Sequence, residues 1–137
     1  MKKLLLCAVV LVAALLGACA CSQKTAEGKQ KKTVLTVDIN EFEKAIARPD
    51  VVLLDVRTPD EFAEGHLKDA ILIDVKESGF LDKCLKQLPA GKTVAVYCRS
   101  GFRSKSAGNI LAGAGFDVIN MKGGITAWME AGKEVVK

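Results

Sequence analysis

A cysteine followed by a short basic loop is the part of this sequence best suited to chemistry. The stretch CRSGFRS runs from Cys98 to Ser104. Its thiol is a potential nucleophile, and Gly101 permits a tight turn that aims backbone N–H groups at an anion. Arg99 and Arg103 add positive charge beside the thiol, a setting that lowers the pKa of a cysteine. The stretch therefore predicts a site that binds an anion and attacks it, with a thiol open to solvent.

The length of this loop distinguishes two kinds of anion. Arg103 follows Cys98 after four residues, whereas cysteine phosphatases of the tyrosine-phosphatase type have five, and the position they would need here is Ser104. A shorter loop encloses a smaller space, which favours one extra sulfur atom over a whole phosphate. The N–H groups of the loop and of the first turn of the helix that follows can converge on one point and bind an anion there. The alternative for the cysteine is a buried, unreactive thiol.

Short apolar runs alternate with amphipathic stretches from residue 33 onward. The apolar runs are rich in valine and isoleucine, which predicts strands at 34–37, 51–56, 70–73, 93–97 and 117–120. Helices are predicted at 39–46, 80–88, 104–114 and 125–131, and acidic residues after Pro59 indicate the first turn of another. This alternation indicates an α/β fold, an open parallel five-stranded sheet with helices on both faces. Cys98 then lies at the carboxyl end of a strand, where such sheets bind ligands.

Three other polar residues are candidates for a supporting place near the loop. Asp55 and Arg57 lie at the end of a predicted strand, so they can face the site or form ion pairs that fix neighbouring loops. His66 is the only histidine. A catalytic base must be within hydrogen-bond reach of its proton, and the sequence indicates no such contact with Cys98. We therefore favour supporting roles for all three.

The first 32 residues are typical of an export signal followed by a tether. Two lysines precede an apolar run of 13 residues, Leu4–Leu16, and small residues follow it. The stretch LGAC, Leu16–Cys19, resembles a bacterial lipoprotein signal, in which the cysteine is lipidated. We expect a signal peptide at 1–18 and a lipidated, lysine-rich tether at 19–32. The protein would then be exported and anchored to a membrane in the bacterial periplasm. Ordinary signal cleavage without a lipid is the alternative.

The five cysteines do not indicate a disulfide framework. Cys7 lies in the apolar run and Cys19 is the predicted lipid site, so Cys21, Cys84 and Cys98 remain, and three thiols cannot all pair within one molecule. The apolar helix face around Cys84 favours a core position for it. No pair of His or Cys residues has metal-ligand spacing, so we expect no metal.

The charge distribution argues against one class of partner. The net charge is +4, of which Lys2 and Lys3 supply +2 and the stretch 23–32 supplies +3, leaving −1 for residues 33–137. The basic residues are not interleaved with aromatic ones. We therefore expect no nucleic-acid partner.

Residues 33–137 resemble a rhodanese-homology domain in its single-domain form. The resemblance rests on four stretches: LLDVRTPDEFAEGHLKDAILI at 53–73, VYCRSGFRS at 96–104, LAGAGF at 111–116 and GGITAW at 123–128. It implies a parallel five-stranded sheet flanked by helices. In this family, six-residue loops such as Cys98–Arg103 go with sulfur transfer, and seven-residue loops go with phosphatases and arsenate reductases.

The resemblance also implies a thiosulfate sulfurtransferase-like mechanism. Cys98 would take the outer sulfur of thiosulfate or a persulfide donor and become a persulfide, with no separate cofactor. A nucleophilic acceptor, cyanide or another thiol, would then remove that sulfur. Backbone N–H groups would hold the terminal sulfur, and they belong to Arg99, Ser100, Gly101, Phe102 and Arg103. Arg99 and Arg103 would attract the anionic donor, and His66 would brace its turn. We expect a monomer. A rhodanese-fold phosphatase or arsenate reductase and a non-catalytic binding module are the alternatives.

Overall fold

The computed structural model describes residues 31–137, which form five strands and five helices. The strands are β1 (Val34–Val37), β2 (Val51–Asp55), β3 (Ile71–Leu72), β4 (Thr93–Tyr97) and β5 (Val118–Met121). The helices are α1 (Ile39–Ile46), α2 (Pro59–Glu64), α3 (Phe80–Gln87), α4 (Phe102–Gly113) and α5 (Gly124–Glu130). The predicted elements are all present, with ends displaced by at most two residues. The predicted signal peptide, Cys19 and most of the tether lie outside the described residues.

The five strands form one parallel sheet in the order β1-β5-β4-β2-β3. Strand β4 is central, and its last four residues are buried because helices cover both faces of the sheet. The predicted α/β fold is therefore confirmed. All strands end at the same edge of the sheet, so the loops that follow β2, β4 and β5 are neighbours there. Strand β1 begins at the opposite edge.

Apolar side chains form one core on each face of the sheet. Helices α3 and α4 cover one face, where Cys84 and Leu111 pack against Val94 and Val96 of β4. Helices α1 and α5 cover the other face, where Trp128 belongs to the second core. Burying each large apolar side chain contributes about 1.5–3 kcal/mol relative to leaving it exposed. Strand β4 contributes side chains to both cores.

Local hydrogen bonds fix the starts of two helices. Helix α1 begins after Asp38, whose side chain accepts a hydrogen bond from the Glu41 N–H at 2.9 Å. Helix α2 begins with Pro59 behind Thr58, and Thr58 and Glu61 form a reciprocal capping box. Helix α2 therefore has a defined position beside the loop that follows β4. Within residues 31–137, no helix combines the length and the apolar character needed to cross a membrane.

Candidate active site

Cys98 follows the central strand directly and begins a six-residue loop that ends at Arg103. Side chains alternate along a strand, so Cys98 shares the face of Val94 and Val96 and packs with them. Helix α4 begins inside the loop at Phe102, so its first N–H groups point back toward the loop. The structure places the cysteine where the pattern predicts it, and its reactivity stays a prediction.

The sulfur of Cys98 accepts hydrogen bonds from the loop that follows it. The Gly101 N–H donates to Sγ at 3.1 Å, and the Ser104 hydroxyl donates at 3.3 Å. Burial is the largest single influence on the thiol, and it raises the pKa. Hydrogen bonds from the Ser104 hydroxyl and from the amides of Ser104, Ser100 and Gly101 together outweigh it and lower the pKa of Cys98 below its ordinary value. The loop therefore favours the thiolate.

Cys98 is nevertheless only 1% exposed, whereas the sequence predicts a thiol open to solvent. That prediction is wrong for this conformation. The side chain continues the buried series of β4 and lies in the same core as Ala107, beneath the loop rather than on its surface. The outer side of the loop is open, since Ser100 is exposed and Phe102 is 80% exposed. A reactant reaches the sulfur only if part of the loop moves.

A second buried cysteine shows what burial does without such a loop. Cys84, on α3, is fully buried in the apolar core, as the sequence predicts. Burial raises the pKa of its thiol to about 11. Cys98 is almost equally buried, but its pKa shifts in the opposite direction. The difference comes from the hydrogen bonds of the loop, which argues against the buried, unreactive thiol.

Two glycines allow the loop to take this shape. Gly101 has a φ of +95° and Gly124 a φ of +62°, in the region that favours glycine. A Cβ atom on Gly124 would lie 2.5 Å from the Cys98 carbonyl oxygen. The same carbonyl accepts a hydrogen bond from the Ile125 N–H at 2.9 Å. The start of α5 therefore packs directly on the backbone of the loop.

Arg103, which the sequence predicts to attract the donor, is bound to a carboxylate of its own chain. Its guanidinium donates to the two carboxylate oxygens of Glu61 at 2.8 and 2.7 Å. Glu61 also accepts from the Thr58 N–H at 3.0 Å. The hydrogen bonds from Arg103 are the main reason that the pKa of Glu61 falls to about 2. The ion pair ties the end of the loop to α2 and neutralises the charge of Arg103.

Arg99 differs from Arg103 in being unpaired. It is exposed, and no salt bridge within residues 31–137 includes it. It lines a cavity of about 410 Å³ that also contacts α2 and α5. The sequence predicts that Arg99 and Arg103 attract an anion. Of the two, Arg99 faces solvent without a carboxylate partner among the described residues.

Asp55 and Arg57 form a buried ion pair at the end of β2. The Arg57 guanidinium donates to Asp55 at 2.7 Å and to the Gly65 carbonyl at 2.7 Å. The Tyr97 hydroxyl accepts from the Leu67 N–H at 3.1 Å and so fixes the same turn from β4. These contacts connect the end of β2 to the turn at Gly65–Leu67. The supporting role of Asp55 and Arg57 stays a prediction.

His66 contacts its own turn and the C-terminal residues. Its Nδ1 donates to the Phe62 carbonyl at 3.0 Å, and its ring stacks on the Phe62 ring with centroids 3.6 Å apart. The backbone N–H of His66 donates to the Val136 carbonyl at 2.9 Å. The bracing role of His66 stays a prediction. Across the described part of the chain, His, Cys, Asp and Glu side chains form no cluster that could hold a metal ion.

Three residues of the site are not identified by sequence reasoning. The sequence indicates the contact between the Ser104 hydroxyl and Cys98 Sγ only weakly, through a serine directly after the last arginine of the loop. Glu61 belongs to a T-x-x-E pattern, which indicates the start of α2 but not a contact with Arg103. Asn120 is buried beneath the loop, with its Nδ2 at 3.5 Å from the Gly101 carbonyl, and nothing in the sequence singles it out.

Comparison with known families and proteins agrees with this geometry. The model of the rhodanese-like domain family matches residues 38–131. A sulfurtransferase of Allochromatium vinosum is 38% identical over 88 residues, covering 64% of this chain and 79% of that protein. Thiosulfate sulfurtransferase 18 of Arabidopsis thaliana is 31% identical over 121 residues, covering 80% and 88%. A tRNA uridine(34) hydroxylase of Nitrobacter winogradskyi is 36% identical over 98 residues, covering 69% of this chain and 38% of the hydroxylase.

A solved structure shares the fold. The crystal structure of a rhodanese-related protein from Thermoplasma volcanium has a TM-score of 0.65 and 31% sequence identity, covering 74% of this chain and 97% of the other. The region that the family model matches includes strands β2 to β5 and the loop at Cys98. The chain belongs to the rhodanese-like domain family and has sulfurtransferases among its relatives.

Proposed function

We propose that the protein is a sulfurtransferase that moves one sulfane sulfur through a persulfide on Cys98. The observation that carries the proposal is the pair of hydrogen bonds on Sγ, from the Gly101 N–H at 3.1 Å and the Ser104 hydroxyl at 3.3 Å. Donors in this arrangement stabilise negative charge on the sulfur of Cys98, which favours the nucleophilic thiolate. The six-residue loop and the sulfurtransferase relatives support the same activity.

The first step of the proposed reaction loads the enzyme. The Cys98 thiolate attacks the outer sulfur of thiosulfate, a new S–S bond forms, and the S–S bond of thiosulfate breaks. Sulfite leaves with the electron pair of that bond, and the enzyme carries a persulfide anion. A persulfide donor reacts in the same way and leaves as its thiolate. No cofactor takes part.

The second step returns the thiol. An acceptor nucleophile attacks the outer sulfur of the persulfide, and the S–S bond to Cys98 breaks with its electron pair on the cysteine. Cyanide becomes thiocyanate by this route, and an acceptor thiolate becomes a persulfide. The cysteine ends as the thiolate from which it began, so the complete cycle needs no oxidant or reductant.

Loading requires the buried sulfur to become accessible. Arg99 is exposed and unpaired, so it can attract the donor anion to the outer side of the loop. Arg103 can turn to the donor only by leaving Glu61. We propose that the exposed residues Ser100 and Phe102 move aside as the donor enters, while the core beneath Cys98 stays in place.

Formation of thiocyanate from thiosulfate and cyanide tests the proposal. We expect the wild-type protein and Cys84→Ser to form thiocyanate, and Cys98→Ser to form none. An aryl phosphate and arsenate, offered in parallel, should remain unchanged. Release of phosphate or reduction of arsenate by the wild-type protein, without formation of thiocyanate, would establish the phosphatase or arsenate-reductase alternative instead.

One observation favours a second candidate, a non-catalytic binding module. Cys98 is 1% exposed, and a thiol that stays covered cannot exchange sulfur. Alkylation of the native protein by iodoacetamide separates the two candidates. The sulfurtransferase requires Cys98 to be alkylated well before Cys84, since its loop opens and its pKa is lowered. Equally slow alkylation of both cysteines would favour the binding module.

We also propose that the protein is an exported, monomeric lipoprotein anchored through Cys19. The sequence supports this with its apolar run at 4–16 and the small residues before the cysteine. Strand β1 begins at the edge of the sheet opposite the loop of Cys98, so the segment that precedes β1 joins the domain on the side away from that loop. Cys19→Ala should move the protein from the membrane fraction to the soluble fraction. An unchanged distribution would contradict the anchor.

A further inference from the structure

Asn120 is a polar residue on a largely apolar face of the sheet. It lies on β5, two residues after Val118, and side chains alternate along a strand, so both face the core beneath α3 and α4. Its partner in register on β4 is Val96, which belongs to the same core. Asn120 is only 2% exposed. A polar side chain buried this deeply must find its hydrogen-bond partners inside the protein.

The amide of Asn120 is only partly satisfied. Its Nδ2 donates to the Thr36 hydroxyl on β1 at 3.4 Å and to the Gly101 carbonyl at 3.5 Å. Its Oδ1 is the one buried side-chain nitrogen or oxygen atom among residues 31–137 that has no hydrogen-bond partner. A buried polar atom without a partner destabilises a fold and requires an explanation. Stability of the core therefore does not account for an asparagine at this position.

The contact with Gly101 connects Asn120 to the sulfur of Cys98. Gly101 lies against the end of β5, since a Cβ atom on it would be 3.2 Å from the Met121 carbonyl oxygen. Its carbonyl accepts from Asn120 Nδ2, and its N–H donates to Sγ at 3.1 Å. With its amide turned the other way, Asn120 would place Oδ1 against the Gly101 carbonyl oxygen, and neither atom is a donor. Gly101 therefore contacts both the asparagine and the sulfur.

The contact with Asn120 joins Gly101 to the sheet. The Gly101 carbonyl also accepts from the Lys105 N–H at 3.3 Å, within the first turn of α4. That bond lies inside the helix, whereas the contact with Asn120 runs from the start of the helix to β5. Glycine has the greatest backbone freedom of any residue, and Gly101 has a φ of +95°. A contact from the sheet therefore limits the directions in which the N–H of this residue can point.

We propose that Asn120 is a positioning residue, which holds Gly101 so that its N–H points at the sulfur of Cys98. In the proposed reaction, that N–H stabilises the thiolate before it attacks the donor and again when it leaves the persulfide. Asn120 acts through Gly101 and takes no part in the chemistry itself. The inference rests on the proposed sulfurtransferase and adds a positioning residue to its site. The unpaired Oδ1 is the loss of stability that accompanies this arrangement.

The pH profile of alkylation of Cys98 by iodoacetamide tests the inference. The midpoint of this profile reports the pKa of the thiol. Asn120→Val removes the contact between Gly101 and the sheet, and it leaves the ion pair of Arg103 with Glu61 in place. We expect the midpoint to move to higher pH, so that the fraction of thiolate at neutral pH falls about two- to threefold. Asn120→Ala needs less space and should do the same if the valine prevents folding.

Two controls separate positioning of the loop from a general loosening of the protein. Thr36→Val keeps the size of the side chain on β1 and removes the other partner of Asn120 Nδ2. It should leave the midpoint of Cys98 unchanged. Cys84 lies in the same core as Cys98, so its alkylation reports opening of that core. It should stay as slow in Asn120→Val as in the wild-type protein.

The outcomes separate failure of the inference from failure of the proposed activity. An unchanged midpoint in Asn120→Val, an equal change in Thr36→Val, or faster alkylation of Cys84 in Asn120→Val would overturn the inference. None of these measurements needs sulfur transfer. If thiosulfate does not load the wild-type protein but the midpoint moves as expected, the sulfurtransferase fails and the role of Asn120 stands. If thiosulfate loads the protein and the midpoint does not move, the sulfurtransferase stands and the inference fails.

Discussion

Replacing Glu61 by glutamine tests the ion pair that holds the end of the active-site loop. The substitution keeps the shape of the side chain and its ability to accept from Thr58, but it removes the negative charge beside Arg103. A fall in the pKa of Glu61 from 4.5 to about 2 corresponds to about 3 kcal/mol of stabilisation of the charged form. The side chain is 24% exposed, and solvent screening reduces the expected loss to about 1–2 kcal/mol.

The effect of Glu61 has a defined pH dependence. Its pKa is lower in the folded protein, so its stabilising contribution is complete above about pH 4.5 and disappears as the pH falls toward 2. Urea unfolding of wild type and Glu61→Gln should therefore differ by about 1–2 kcal/mol at pH 7. The two free energies of unfolding should converge in acid.

A neighbouring glutamate supplies the control for this experiment. Glu64 lies on the same helix, is exposed, and forms no salt bridge with the other described residues. Glu64→Gln should change the free energy of unfolding by less than about 0.5 kcal/mol at any pH. A Glu61→Gln effect that is absent at pH 7, or equally large at pH 7 and in acid, would refute the assignment of the ion pair.

Three further substitutions test other parts of the site. Ser104→Ala removes a hydrogen bond to the sulfur, so the pKa of Cys98 should rise and its alkylation at neutral pH should slow by about fivefold. A pH–rate profile of alkylation measures this change, and an unchanged profile would contradict the role of the hydroxyl. Gly124→Ala places a methyl group against the Cys98 carbonyl in a strained backbone conformation, so sulfur transfer should fall at least about tenfold. Thiocyanate formation measures this, on protein that circular dichroism shows to be folded. Full activity would contradict the close packing of α5 on the loop. Arg57→Ala leaves the buried Asp55 carboxylate unpaired, so thermal or urea unfolding should show a loss of about 3–5 kcal/mol, and a loss below about 1 kcal/mol would mean that the pair is not buried as observed.

The fold follows from local patterns that the sequence displays directly. The valine-rich runs and the amphipathic stretches between them depend on neighbouring residues, so the parallel sheet is predictable to within two residues at each end. The position of Cys98 at the end of β4 follows in the same way. Gly101 is predictable too, because a turn at that point requires its backbone freedom.

The features that sequence reasoning misses depend on contacts between distant segments. Glu61 and Arg103 are 42 positions apart, and only the packing of α2 beside the loop brings them together. The approach of Gly124 to the Cys98 backbone likewise needs the position of α5.

The predicted solvent exposure of Cys98 is wrong for a different reason. The polar residues of the loop suggest an open thiol. Alternate side chains of β4 face the same core. Val96 is buried there, and Cys98, two residues later, is buried on the same side of the sheet.

The central claim is that the loop stabilises one added sulfur on Cys98. The mass of the cysteine-containing peptides after exposure to thiosulfate tests it most directly. The account predicts a gain of the mass of one sulfur atom on the peptide of Cys98, removed by cyanide, and no gain on the peptide of Cys84. An unmodified Cys98, or equal modification of both cysteines, would contradict it.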